Sequence, residues 1–157
     1  MTRTILLLLC ALLPAACSTF SPTATGPITT RTAHAADAAA AISAYRRSRG
    51  LPPVRVDYTL MRAAEEQARA IAAADALSHD VAGSFGRRMS AHGVRGAAAE
   101  NLSAGAPTPS RVLERWKASP GHNENLLLPG ATRIGLVEAE APNTRYKRFW
   151  VLLLADG

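Results

Sequence analysis

The apolar run FWVLLL at residues 149–154 constrains the fold more than any other segment of the chain. Six consecutive apolar residues leave no polar face, so the run predicts a central strand, over residues 146–155, that is covered on both sides. Ile134 and Leu136 predict a neighbouring strand, and the APNT sequence at 141–144 predicts the turn between the two. A sheet that is buried on both faces requires helices on both faces.

The residues upstream supply those helices. Residues 35–49 are rich in alanine and predict a first helix that stops at Gly50 and Pro52. Asp57 is a suitable N-cap for a second helix, with Glu65 and Arg69 paired on its outer face. The apolar positions of that helix keep helical spacing: Leu60, Ala64, Ala68 and Ile71.

Two further helices follow in the sequence. Residues 83–91 predict a short one, and Thr108 followed by Pro109 is a typical start of another. Val112, Leu113 and Trp116 would form its apolar stripe. The predicted fold class is therefore α+β, an α-β-α sandwich with a small antiparallel sheet covered by helices.

The N-terminus indicates export. Arg3 precedes a short apolar run and then small residues, which is typical of a secretory signal and too short to span a bilayer. The LPAAC sequence ending at Cys17 is similar to a bacterial lipobox, so residues 1–17 predict a lipoprotein signal with lipidation at Cys17. Ordinary secretory cleavage, with Cys17 incidental, remains the alternative.

Between the signal and the first helix, residues 18–34 are rich in Ser, Thr, Pro and Gly and predict a flexible tether. Residues 35–157 then form one domain. Of the two cysteines of the chain, Cys10 lies within the predicted signal, so the exported domain has no disulfide.

The charge of the chain argues against nucleic-acid binding. The net charge is +6, but the arginines are spread along the chain, with neither a basic stripe nor stacking aromatics. Such a surface is typical of a solvated domain with some attraction to anionic envelope lipids or polymers.

Four short motifs, in order, resemble the CAP superfamily of cysteine-rich secretory proteins, antigen 5 and pathogenesis-related group 1 proteins (the SCP domain). They are LSH at 77–79, AENL at 99–102, Trp116, and SPGH at 119–122 followed by NLL at 125–127. The resemblance covers residues 35–157 and implies the same α-β-α sandwich. It also implies one surface cleft that gathers His79, Glu100 and His122.

The resemblance further implies that His79 and His122 are candidate ligands of zinc or another divalent cation, with Glu100 acting through a water. If Ser119 caps a short helix opened by Pro120, then His122 lies in its first turn, where the helix dipole disfavours the charged ring. The family usually carries a second acidic residue about five positions after the first histidine. Here that position is Ser84, and Asp80 is a weak substitute. His34 and His92 match no family position.

Two functions of different classes fit these residues. The first is an exported binding module of the bacterial cell envelope, anchored through Cys17, whose cleft takes a divalent metal, a small apolar ligand such as a lipid, or a protein partner. The second is a metal-dependent, peptidase-like hydrolase with Glu100 as general base. No Gly-x-Ser-x-Gly nucleophile motif is present. The absence of a nucleophile and of the second carboxylate favours the first.

Overall fold

The computed structural model of the chain describes residues 26–157, so the predicted signal, Cys17 and the start of the predicted tether lie outside the described residues. The described helices are α1 (Ala35–Arg47), α2 (Tyr58–Ala74), α3 (Phe85–Ala91), α4 (Pro109–Ala118) and α5 (Pro120–Leu126). The strands are β1 (Thr29–Arg31), β2 (Arg55–Val56), β3 (Ala98–Ala104), β4 (Ala131–Glu140) and β5 (Arg148–Asp156). No helix within residues 26–157 is long and apolar enough to cross a membrane.

The sheet has the order β1-β4-β5-β3, with antiparallel pairs along this path and the short β2 parallel to β4. Strand β5 lies between β4 and β3, and all six residues of its apolar run are fully buried. The prediction of a central, covered strand is confirmed. Asp57 caps α2 through the amide of Leu60, and Thr108 caps α4 through the amide of Arg111, both as predicted.

Two separate hydrophobic cores, one on each face of the sheet, follow from the alternation of side chains along β5. Phe149, Val151 and Leu153 pack in one core against α2 and α3. Trp150, Leu152 and Leu154 pack in the other with residues of α1, α4 and α5. The fold is thus the predicted α-β-α sandwich.

Helix α2 crosses β4 at a point where only glycine fits. A Cβ built on Gly135 would lie 2.4 Å from the carbonyl carbon of Leu60 and 2.6 Å from the amide nitrogen of Met61. Both atoms belong to the α2 backbone, which cannot move aside as a flexible side chain could. Gly135 therefore sets the spacing between the helix and the sheet.

A buried arginine joins α1 to the start of β4. Arg46 is fully buried and donates hydrogen bonds to four backbone carbonyls, those of Pro52, Leu126, Leu128 and Ala131. Burial lowers the pKa of its guanidinium. Because two of these carbonyls lie at the end of α5, Arg46 also caps the helix that carries His122.

The predicted tether is wrong over its last residues. Thr29, Thr30 and Arg31 pair with Glu140, Ala139 and Glu138 of β4, so these residues form an edge strand of the sheet. Thr30 and Arg69 also bond to the carboxylate of Glu65 on α2. Thr and Arg occur in edge strands as well as in linkers, so composition alone does not distinguish an edge strand from a flexible linker.

Candidate functional site

Strand β3, which the sequence did not predict, is the platform of the site. It forms an edge of the sheet, and its outward carbonyls at Glu100, Leu102 and Ala104 accept hydrogen bonds from side chains of α4 and α5. The donors are Asn125 to Glu100 (3.1 Å), Trp116 Nε1 to Leu102 (3.0 Å) and Arg115 to Ala104 (3.1 Å). These bonds satisfy backbone groups that an open edge would leave to solvent.

Helix α5 is held at the strand by an amide network. Asn101, which is fully buried, donates from Nδ2 to the carbonyl of His122 at 2.9 Å and accepts from Nδ2 of Asn125 at 2.9 Å. Asn101 and Asn125, which belong to two of the motifs, thereby hold the backbone of His122 next to Asn101, the residue that follows Glu100. The sequence indicated these asparagines as motif members but not this role.

The loop that carries His79 is held by Gln67 of α2. This side chain is fully buried, donates to the carbonyl of Ser78 at 2.8 Å and accepts from the amide of Ala82 at 3.3 Å. Gln67 stands seven positions after Leu60, on the apolar stripe of α2. A polar residue on a buried stripe was the signal that could have identified it.

Glu100 is the most constrained group of the site, since its side chain is 2% exposed. Nη2 of Arg88 donates to both of its carboxylate oxygens at 2.9 Å, and Nδ1 of His79 lies 2.8 Å from Oε1. Because an ionised carboxylate only accepts hydrogen bonds, Nδ1 of His79 is the donor to Oε1. The His79 side chain is 53% exposed, so the imidazole is accessible to solvent although its carboxylate partner is buried.

Arg88, like Gln67, contributes to the candidate site and was not predicted from the sequence. Its side chain is 2% exposed, and besides Glu100 it bonds to the carbonyls of Gly83 and His79. It lies three positions after Phe85 on α3, and its guanidinium is 5.6 Å from the centre of that ring. Nothing in the sequence distinguished Arg88 from the exposed Arg87 beside it.

His122 shares a 2.9 Å hydrogen bond with the hydroxyl of Ser119. Burial, and secondarily the charge of His79, lowers the pKa of the His122 imidazole, so the ring is neutral at pH 7. The direction agrees with the sequence expectation, but these causes differ from the helix dipole proposed there. Ser119 is the N-cap of α5, and its side chain bonds the imidazole instead of a backbone amide.

Within residues 26–157, the Glu100 carboxylate makes no hydrogen bond or ion pair with the other polar residues considered from the sequence, Asp80, Ser84, His34 and His92. Asp80 is exposed, and Ser84 is the N-cap residue of α3. His92 pairs with Glu66 at 2.7 Å and His34 lies 3.4 Å from Glu138, so neither histidine joins His79 and His122.

Comparisons with known proteins identify the family of the chain. The model of the Cysteine-rich secretory protein family, CAP, matches residues 39–154 of the chain. The chain belongs to the CAP family. The region of the match contains β3, the loop of His79 and the helix of His122.

Similar proteins are bacterial. The uncharacterized protein YkwD of Bacillus subtilis is 30% identical over 110 residues, which are 68% of this chain and 43% of that protein. An outer surface protein of Borrelia burgdorferi has a TM-score of 0.66 at 23% identity, covering 74% of this chain and 87% of that one. An extracellular SCP-domain protein of Bacillus anthracis has a TM-score of 0.66 at 22% identity, covering 77% and 39%. This chain thus spans less than half of YkwD.

The residues of this CAP domain do not fit a divalent ion well. Within residues 26–157, no three His, Cys, Asp or Glu side chains are grouped so as to hold a metal. His79 and His122 offer two imidazoles, but the third candidate, Glu100, is already neutralised by the buried Arg88. A catalytic zinc site normally has three protein ligands. The zinc expectation stays a prediction from the resemblance, and the geometry does not favour it.

A shallow pocket of about 340 Å³ lies beside His122. Its walls are mainly apolar, with Leu77, Leu102, Trp116 and Tyr146 contributing. Its polar lining residues are Ser103, Arg115, Ser119 and His122. A larger groove of about 660 Å³, which includes Tyr58 and Met61, contains neither candidate histidine. The smaller pocket therefore adjoins the site through His122.

Proposed function

We propose that this CAP protein is an exported binding module of the bacterial cell envelope, anchored by a lipid on Cys17, whose cleft takes a small apolar ligand. The observation that carries the proposal is the buried contact of Glu100 with Arg88 and His79. Because Glu100 is occupied in this contact, the pocket beside His122 presents an imidazole, Arg115 and an apolar wall.

The same contact argues against the hydrolase alternative. A general base takes a proton from a water within hydrogen-bond distance. Both oxygens of Glu100 already accept from Arg88, and Oε1 also lies against Nδ1 of His79. The Glu100 side chain is also only 2% exposed, so a water would have to enter this buried contact before Glu100 could act as a base.

The apolar pocket supports a ligand with a matching surface. Small-molecule sites are usually concave and apolar, with a few polar groups that fix the orientation of the ligand. Leu77 is 46% exposed and lines this pocket, so a bound ligand would cover apolar surface there. His122 and Ser119 would orient a polar end of the ligand.

Export is supported by the sequence and by the names of similar proteins. The apolar run that follows Arg3 has the features of a secretory signal. The Borrelia burgdorferi protein is described as an outer surface protein, and the Bacillus anthracis protein as extracellular. The lipid anchor at Cys17 rests on the lipobox-like sequence alone.

A Leu77→Ser variant of the full chain is expected to bind the uncharged dye Nile red about tenfold more weakly than wild type. The reason is that one exposed leucine contributes about 1.5 kcal/mol when a ligand covers it. Fluorescence titration gives both dissociation constants, and adding the chelator EDTA to the same titration is expected to change neither.

The matched control is Tyr58→Ser, which removes a large side chain that is 82% exposed in the other groove. It is expected to leave the dye affinity unchanged. Equal affinities for wild type and Leu77→Ser, or a larger loss in Tyr58→Ser, would contradict ligand binding at the His122 pocket.

A further inference from the structure

The turn between β4 and β5 projects two unpaired basic side chains at one end of the molecule. Arg145 and Lys147 are both exposed, and within residues 26–157 neither makes an ion pair. The Arg145 guanidinium lies 4.5 Å from the centre of the Tyr146 ring. The carboxylate of Asp75 contacts the backbone of the turn, where its Oδ2 accepts a hydrogen bond from the amide of Arg145.

The turn is ordered by internal hydrogen bonds. Thr144 is buried, donates from its hydroxyl to the carbonyl of Ala141 at 2.7 Å and accepts from the amide of Lys147 at 3.0 Å. Lys147 has a φ of 64°. A non-glycine residue in the left-handed region carries some strain, so these bonds keep the Lys147 backbone in an uncommon conformation.

The start of the domain lies against the same turn. A Cβ on Gly26 would lie 2.6 Å from Nδ2 of Asn143, so the chain enters the domain beside the basic residues. Because β1 belongs to the sheet, the stretch between the predicted anchor and the domain is only that from Cys17 to Gly26. A stretch of this length reaches at most about 30 Å when fully extended. A lipid on Cys17 would keep this end of the domain near the bilayer.

We infer that Arg145 and Lys147 form a docking surface for the anionic headgroups of the membrane in which Cys17 is anchored. The inference rests on the proposed anchor, and its chemistry is charge complementarity with acidic lipids. Docking there would place the opposite end of the sheet away from the membrane. The pocket beside His122, which shares Tyr146, would then lie near the lipid surface.

The chain provides an internal control for a test. Its two lysines are Lys147 on the turn and Lys117 on α4, where the Lys117 ammonium lies 4.4 Å from the centre of the Tyr45 ring. Full-length protein is inserted into preformed vesicles of phosphatidylcholine, either pure or with about one third phosphatidylglycerol, an anionic lipid. A membrane-impermeant acetylating reagent is added, and mass spectrometry gives the labelling rate of each lysine.

We expect Lys147 to react about fivefold more slowly in vesicles with phosphatidylglycerol than in pure phosphatidylcholine, and Lys117 to react equally in both. High salt should remove the difference, since it screens charges at a surface. Arg145→Gln should weaken the protection of Lys147. The matched variant Arg47→Gln removes an exposed charge at the end of α1 and should leave the protection intact. Arg46, next to Arg47, bonds to Ala131, the first residue of β4, whereas the turn follows the last residue of that strand.

Equal rates for Lys147 in the two lipids, or equal protection of Lys117, would overturn the docking surface. The mass of the N-terminal fragment tests the anchor separately. A lipidated Cys17 with no protection of Lys147 overturns the surface and leaves the proposed function standing. An unmodified Cys17 with salt-sensitive protection of Lys147 overturns the anchor and supports the surface.

Discussion

Gly135→Ala is expected to lower the free energy of unfolding by about 3 kcal/mol or more, one of the two largest effects of a single substitution that we predict. The added methyl group would lie 2.4 Å from the Leu60 carbonyl carbon, so α2 must shift away from β4. That shift would disturb the core around Leu60 and, through Gln67, the loop that carries His79. Urea denaturation measures the loss.

Gly86→Ala is the matched control for this substitution. Gly86 lies within α3, and a Cβ there would meet no atom within 4 Å. Alanine is a better helix former than glycine, so the free energy of unfolding should stay the same or rise by up to about 1 kcal/mol. A Gly135→Ala protein as stable as wild type would show that α2 does not pack on β4 as described.

Arg88→Met is expected to lower the free energy of unfolding by about 3–5 kcal/mol, because it leaves the buried Glu100 carboxylate without its counter-charge. Within residues 26–157, the other ionisable partner of Glu100 is His79, which is half exposed. A double variant, Arg88→Met with Glu100→Gln, should recover much of this loss, since neither member of the buried ion pair then remains.

Arg87→Met serves as the control, since this arginine is the exposed neighbour of Arg88 on α3. Its free energy of unfolding should stay within about 0.5 kcal/mol of wild type. If Arg88→Met were as stable as Arg87→Met, the ion pair with Glu100 would not be the structural centre of the site.

Much of the fold could be predicted because it follows from local patterns. The run at residues 149–154 is apolar on both faces and therefore predicts a covered strand. Asp57 and Thr108 mark the starts of two helices because their side chains accept hydrogen bonds from backbone amides of the first turn. Strand β3 was missed because Ala, Glu, Asn and Ser have low strand propensity. Its place in the sheet depends on β5 and on the donors of α4 and α5, which are distant in sequence.

The candidate site could be predicted only in part. His79, Glu100 and His122 were found through the motifs, and the structure brings them to one end of β3. The partners that decide their chemistry, Arg88 and Gln67, lie on helices where neighbouring residues look much the same in sequence. A buried counter-ion is a property of packing, so one sequence shows it poorly.

The central claim is that this cleft is a binding site in which Arg88, and no metal, balances the charge of Glu100. Isothermal titration of zinc into the full chain tests it most directly, with a His79→Ala/His122→Ala double variant as the comparison. We expect no binding at micromolar zinc in either protein, because two imidazoles without a third ligand make a weak site. Micromolar binding by wild type that is lost in a folded double variant would contradict it.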